Sequence, residues 1–294
     1  MASWLKQIPD PLRADFHYCR EMVRAHGENF PVGSLFAPRP LRPHLHALYA
    51  FARSADDFAD QPGRADAEKL QLLDDWERRL GAAARGEPVD HPIFRALAHT
   101  LKVTPVTPEP LQHLLIAFRM DVTNKRYEDL GELRDYCRYS ANPVGHMVLM
   151  LAGAMTPENR VCSDAICTAL QWANHWQDLG IDPHKGRPLY LPRQEMQRHG
   201  VSEEMILNRR FSAGAAMLML SLVEETRALF QAGAPLIARL DWPLNLEIAV
   251  TWEAGMRLLD RIEERGGNTL RARPRLSRHD MALAVWRALK RVSR

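Results

Sequence analysis

Cysteine is scarce in this chain and never closely paired. The four present, Cys19, Cys137, Cys162 and Cys167, form no Cys-x-x-Cys and have no ordered histidine spacing. A structural zinc site and a disulfide scaffold are therefore excluded, and reduced thiols in a cytosolic protein are expected. Long apolar runs are also missing. The longest, over 213–223, is too short to span a bilayer, and Met1–Asp10 has no apolar core of the kind a secretory signal carries. A soluble or peripheral protein is expected. An excess of one charge is lacking too: 39 Lys and Arg stand against 36 Asp and Glu, a net +3, too little to argue for nucleic acid. No P-loop, serine elbow or dinucleotide glycine fingerprint occurs. The only Gly-Gly pair, Gly266-Gly267, follows no strand pattern, so nicotinamide chemistry is unsupported.

Strand-like alternation of Val, Ile and Thr is absent, whereas apolar residues recur at helical spacing throughout. The periodicity predicts helices over roughly 10–26, 41–61, 66–85, 92–103, 108–124, 128–154, 159–181, 203–233, 242–265 and 278–292. Proline and glycine punctuate the joints, and Pro143 beside Gly145 predicts a kink inside 128–154. With no repeat and no low-complexity linker, one all-α domain over 1–294 is expected. The Arg-rich stretch Gly266–Ser277 reads as a loop between the last two helices.

Two short acidic runs stand in these apolar helical segments, about 120 residues apart. In the first, Leu45, Tyr49, Ala52, Asp56 and Asp60 recur at helical spacing, so the acids extend an apolar stripe toward the core. In the second, Cys167, Gln171, Asn174, Asp178 and Asp182 form a stripe that turns polar along its length. Buried carboxylates need cations or donors to offset lost hydration. Oxygen-only donors suit magnesium, which commonly takes one or two carboxylates plus substrate phosphates. Solvated helix ends would explain Asp57 or Asp182 alone, but they explain Asn174 poorly. Both sets together make Asp56, Asp60, Asn174, Asp178 and Asp182 the candidate metal ligands.

Arg53 precedes Asp56 by one helical turn, where it can contact a metal-bound diphosphate, pair with the acids, or do both. Lys185, Arg187 and Tyr190 follow the second run and could close over an anion, or form an ordinary surface loop. The small and flexible apolar residues of Ser140–Met155, with Met217–Leu220, read either as core or as the wall of a hydrocarbon channel.

The stretches Tyr49-Ala-Phe-Ala-Arg-Ser-Ala-Asp-Asp-Phe-Ala-Asp60, Tyr136-Cys-Arg-Tyr-Ser-Ala-Asn-Pro-Val-Gly145 and Gln171-Trp-Ala-Asn-His-Trp-Gln-Asp178 resemble, in order and separation, signatures of the squalene/phytoene synthase family. The similarity runs from about Phe30 to Arg275. It implies the all-α isoprenoid synthase fold, with magnesium around a prenyl diphosphate at the mouth of a central apolar cavity. Carried over by position, Asp56, Asp60, Asn174 and Asp178 would ligate magnesium, with Asp182 a further ligand. Ser34, Tyr49, Arg53, Arg187 and Tyr190 would lie near the diphosphate, and Gln171 would face the reaction centre.

Two departures stand out. Condensing members carry arginine before the last aspartate of the second signature, where this chain has Gln177. The family's Gly-Arg-x-Tyr-Leu-Pro is also one residue longer here, Gly186–Pro192. Within the family the motifs are most similar to the bacterial branch that serves hopanoid synthesis. That likeness implies a single substrate, presqualene diphosphate, with water as the second reactant and hydroxysqualene as product. Gln171, Asn142 or Tyr127 would orient the water. Two other readings stay open: condensation of two prenyl diphosphates to presqualene diphosphate, squalene or phytoene, and a non-catalytic lipid-binding or assembly-factor relative. The lipophilic substrate further implies peripheral contact with the inner membrane and with other enzymes of the squalene pathway. A basic C-terminal helix bearing Trp286, Arg287, Lys290, Arg291 and Arg294 would assist.

Overall fold

The computed structural model describes residues 8–25, 39–123, 126–185 and 188–293, which include no β-strand. Fourteen helices make up the described architecture: α1 (Arg13–Ala25), α2 (Arg42–Asp60), α3 (Asp66–Ala84), α4 (Pro92–Val103), α5 (Glu109–Val122), α6 (Leu130–Ser140), α7 (Asn142–Ala152), α8 (Pro157–Asp178), α9 (Arg193–Arg198), α10 (Glu203–Leu207), α11 (Ala213–Gly233), α12 (Pro235–Arg239), α13 (Leu244–Glu263) and α14 (Arg278–Val292). Short 3-10 turns occupy Asp10–Leu12 and Asp182–Lys185. Among the described residues no helix is long and apolar enough to cross a membrane.

The helices group into two compact units. The first takes the described residues within Met1–Thr123 and Pro143–Arg160, the second those within Asn124–Asn142 and Val161–Arg294. In the first, α1 to α5 pack on one another around Trp76. Its indole stacks on Phe51, meets Phe58 and Phe94 edge-on, and donates Nε1–H to the Phe51 carbonyl at 3.2 Å. In the second, the buried Trp176 and Trp252 donate their indole N–H to Thr226 Oγ1 at 2.8 Å and to the Phe230 carbonyl at 2.6 Å. These three indoles are thus buried with their N–H groups satisfied.

Two expected long helices are each divided. The stretch expected over 128–154 breaks between Ser140 and Asn142, with Ala141 at φ −120° as the C-cap of α6. Pro143 has no N–H to continue the ladder, so it opens a new helix instead of kinking an old one. The stretch expected over 203–233 breaks at Asn208–Ser212. Arg209 there takes φ 52°, and the Ser212 hydroxyl accepts from Ala215 N at 3.1 Å to cap α11. The short helices α9 and α12 carry too few turns to leave a periodic signal and were not expected.

Candidate active site

Helix α2 buries the row His44, Leu48, Phe51, Ala55 and Ala59. Tyr49, Ala52, Arg53, Asp56 and Asp60 lie on the neighbouring row and are half-buried. The acids therefore flank the apolar stripe and do not extend it. The reason is energetic: alanines at 55 and 59 take the core positions, while the carboxylates keep part of their hydration. Arg53 reaches both first acids, with Nη1 3.1 Å from Asp56 Oδ2 and Nη2 donating to Asp57 Oδ1 at 2.5 Å. One guanidinium thus serves a carboxylate three residues on and another four residues on, the two neighbour positions on a helical face.

Helix α8 repeats the pattern. Ala169, Trp172, Ala173 and Trp176 are fully buried. Cys167, Gln171, Asn174 and Asp178 form a half-buried polar row beside them. Asn174 Oδ1 is buried without a hydrogen-bond partner, an acceptor left for a cation or a water. Asp178 is the last residue of α8, where the partial negative charge of the helix end disfavours a carboxylate. Arg273 offsets this with a two-pronged contact: Nε to Asp178 Oδ1, and Nη2 to Oδ2 at 2.8 Å.

Arg273 is held in place by its neighbours. Gln177 is buried, and its Nε2 donates to the Pro274 carbonyl at 2.6 Å while its Oε1 accepts from Arg273 Nη2 at 3.4 Å. One turn further, Gly180 lets the Thr269–Leu270 backbone lie directly on the end of α8. A Cβ at Gly180 would stand 2.7 Å from the Leu270 carbonyl oxygen. Arg209 Nη2 closes the corner by donating to the Gly180 carbonyl at 3.0 Å.

Asp182 is buried and opens the 3-10 turn after α8. Tyr190 stacks on His175 with ring centroids 3.7 Å apart, and Tyr127, fully buried, stacks on Tyr190 at 6.1 Å with Tyr136 beside both. Asn142 is buried and its Oδ1 accepts from Thr168 Oγ1 at 3.1 Å. Ser34 and Arg187 lie outside the described residues.

The donors suit magnesium in kind: each set is made only of hard oxygens, and Asn174 offers an unmatched one. The two guanidiniums are the counter-argument. Arg53 is shared between Asp56 and Asp57, and Arg273 is already paired with Asp178, so two cationic groups offset part of the charge of three carboxylates. Among the described residues no three His, Cys, Asp or Glu side chains are gathered as a metal site. The fit is thus conditional on Arg273 releasing Asp178. Arg273 and the clamp by Gln177 went unforeseen from sequence. The only signal was Arg-Pro within an Arg-rich loop, and nothing local tells a solvated arginine from one paired with a residue about 95 positions earlier.

Comparison with known proteins gives four matches. A family model described as "Squalene/phytoene synthase" matches residues 23–280. The hydroxysqualene synthase of Rhodopseudomonas palustris is 36% identical over 239 residues, 81% of this chain and 80% of that protein. That of Sinorhizobium fredii is 34% identical over 257 residues, 87% of this chain and 86% of that protein. Among solved structures, the squalene synthase HpnC from Alicyclobacillus acidocaldarius superposes with a TM-score of 0.83 at 38% identity, covering 90% of this chain and 99% of that one.

Proposed function

The chain belongs to the squalene/phytoene synthase family, and from that premise we propose that it converts presqualene diphosphate and water to hydroxysqualene and diphosphate. The observation that carries this reading is Gln177. Where condensing relatives place a cation, this chain has a neutral amide that is buried and bound to the Pro274 carbonyl. Gln177 brings no charge of its own, and the neighbouring Arg273 is already engaged by Asp178, so the charge available favours one diphosphate over two.

Asp56 and Asp60 form one candidate magnesium pair; Asn174 and Asp178, with Asp182, form another. Bound magnesium would supply positive charge to a departing diphosphate, a large term in reactions of this class. The chain's own contribution is separable. Arg53 presents a planar fork already oriented by Asp56 and Asp57, suited to phosphate oxygens. The C–O bond to diphosphate breaks with its electron pair leaving on the diphosphate. Apolar surroundings keep bulk water from the cyclopropylcarbinyl cation while it rearranges and its ring C–C bond breaks to give the linear chain. One oriented water then forms the new C–O bond at the rearranged cation, and its proton passes to the released diphosphate. Of the three residues considered for orienting that water, Asn142 is engaged by Thr168 and Tyr127 is enclosed among aromatic rings. Gln171, half-buried on the polar row of α8, is the one we assign. No hydride donor enters this balance.

A second reading, condensation of two prenyl diphosphates, draws support from the name of the Alicyclobacillus relative, a squalene synthase. Incubating the purified chain with magnesium and no reductant, once with presqualene diphosphate and once with farnesyl diphosphate, distinguishes the two. Mass analysis should find a hydroxylated thirty-carbon product from the first substrate. A thirty-carbon product from farnesyl diphosphate, with presqualene diphosphate left unconsumed, would establish the second reading instead.

A further inference from the structure

Helix α14 divides its residues unusually. Its inner row, Asp280, Ala284 and Ala288, is buried and faces α13, its packing partner. Asp280 accepts from Arg257 Nε at 2.8 Å and from Arg261 Nη2 at 2.9 Å, and it completes a capping box with Ser277. Arg291 also belongs to this inner side: Nη2 lies 3.0 Å from Glu253 Oε1, and the guanidinium sits over Trp252 at 4.2 Å. It is therefore committed to α13 and unavailable to an outside partner, contrary to the sequence expectation.

The opposite row is Ala282, Trp286 and Leu289, one helical stripe. Trp286 is 52% exposed and Leu289 44%. Arg278, His279, Arg287 and Lys290 flank this stripe and are exposed, and Lys290 Nζ rests 3.6 Å from the Trp286 ring centre. The only acid of α14 is Asp280, turned inward and neutralised by two arginines. The outward face is thus apolar along its middle and cationic along its flanks, with no carboxylate of its own. The other exposed apolar pair, Met217 and Leu220 on α11, is followed by the exposed acids Glu224 and Glu225 and lacks this charge pattern.

We propose that the outward face of α14 docks on a bilayer surface carrying anionic headgroups. The helix would lie flat, with Trp286 and Leu289 in the interfacial layer and Arg278, Arg287 and Lys290 among the phosphates. Its length, about 22 Å at 1.5 Å per residue, is short of a bilayer core but suits an interfacial helix. A tryptophan covered by a lysine is the pairing expected where one end of a side chain meets hydrocarbon and the other meets headgroups. This inference stands on the geometry of α14 and is independent of the reaction assigned above.

The test is sedimentation of the full chain with vesicles of phosphatidylcholine alone and of phosphatidylcholine with phosphatidylglycerol. It compares wild type, W286S/L289S and R287Q/K290Q, all checked for fold by circular dichroism. Wild type should bind the anionic vesicles only. R287Q/K290Q should bind them about fivefold more weakly for each charge removed, and W286S/L289S should lose binding at low protein load. Brominated-lipid quenching should be present in wild type and reduced in W286F, which reads depth at that side chain. Equal binding by all variants, or none by wild type, overturns the proposal. So does a dimer of wild type that W286S/L289S converts to monomer without any vesicle binding, because a second copy would then be the occupant.

Discussion

Replacing Arg273 by glutamine should make the protein less stable without magnesium and bind magnesium more tightly. In the structure the guanidinium makes a two-pronged contact with Asp178, with both side chains largely shielded, at 24% and 17% exposure. Charge-assisted hydrogen bonds contribute about 1.5–3 kcal/mol each. Asp178 regains hydration once the partner is gone, so a net loss of about 2 kcal/mol is expected. For a chain of this size that is a fall of about 4–8 °C in thermal midpoint, measured in EDTA. A thermodynamic cycle then sets the second half. If a metal ion must displace the guanidinium to reach Asp178, wild type forgoes the same energy on binding, and the variant should bind magnesium about 30-fold more tightly. Isothermal titration without substrate measures this directly, and thermal denaturation in magnesium should show the stability gap closing. Unchanged or weaker magnesium binding in R273Q would refute the idea that arginine and metal compete for this carboxylate. Gln177→Leu should shift both readouts in the same direction by less, because it loosens Arg273 without removing it.

Three further outcomes follow from the same geometry. Asp56→Ala and Asp178→Ala should each lower product formation by at least about a hundredfold while leaving the helical circular-dichroism spectrum intact; wild-type turnover in both variants would sink the metal assignment. Gly180→Ala would drive a methyl into the Leu270 carbonyl 2.7 Å away; it should cost about 1–3 kcal/mol and raise magnesium affinity in the manner of R273Q, which chemical denaturation and titration would check. Burial in the first unit, followed by the charge of the stacked His99, lowers the pKa of His44 from 6.5 to about 4. The unfolded chain therefore takes up a proton between those values that the folded chain refuses. The resulting stability is complete above about pH 6.5 and lost as pH falls toward 4, about 2 kcal/mol by pH 5. His44→Asn, which can still hydrogen-bond Thr100, should flatten this slope in urea titrations at pH 7 and 5; an unchanged slope would place the acid sensitivity elsewhere.

The amino-acid sequence by itself determined the helical class, most helix spans and the two polar rows, because each depends on residues within one or two turns of one another. The periodicity placed α14 at 278–292 in agreement with the structure. It also placed Arg53 beside Asp56, since residues three apart on a helix are neighbours whatever surrounds them. The polar face of a helix can likewise be read without knowing what it packs on. Where the reading went astray, the deciding interaction was distant or depended on which row of a helix meets the core. Asp56 and Asp60 lie one row aside from the buried stripe, a choice made by the close packing of Ala55 and Ala59. Arg291 turned inward to Glu253, 38 residues away, and left Trp286, Arg287 and Lys290 to face outward. Arg273 was hidden most completely. Its role rests on Gly180 admitting a backbone, Gln177 holding a carbonyl, and the end of α8 needing a cation. Sequence spacing cannot bring those facts together; only the chain's return to α8 after α13 does so.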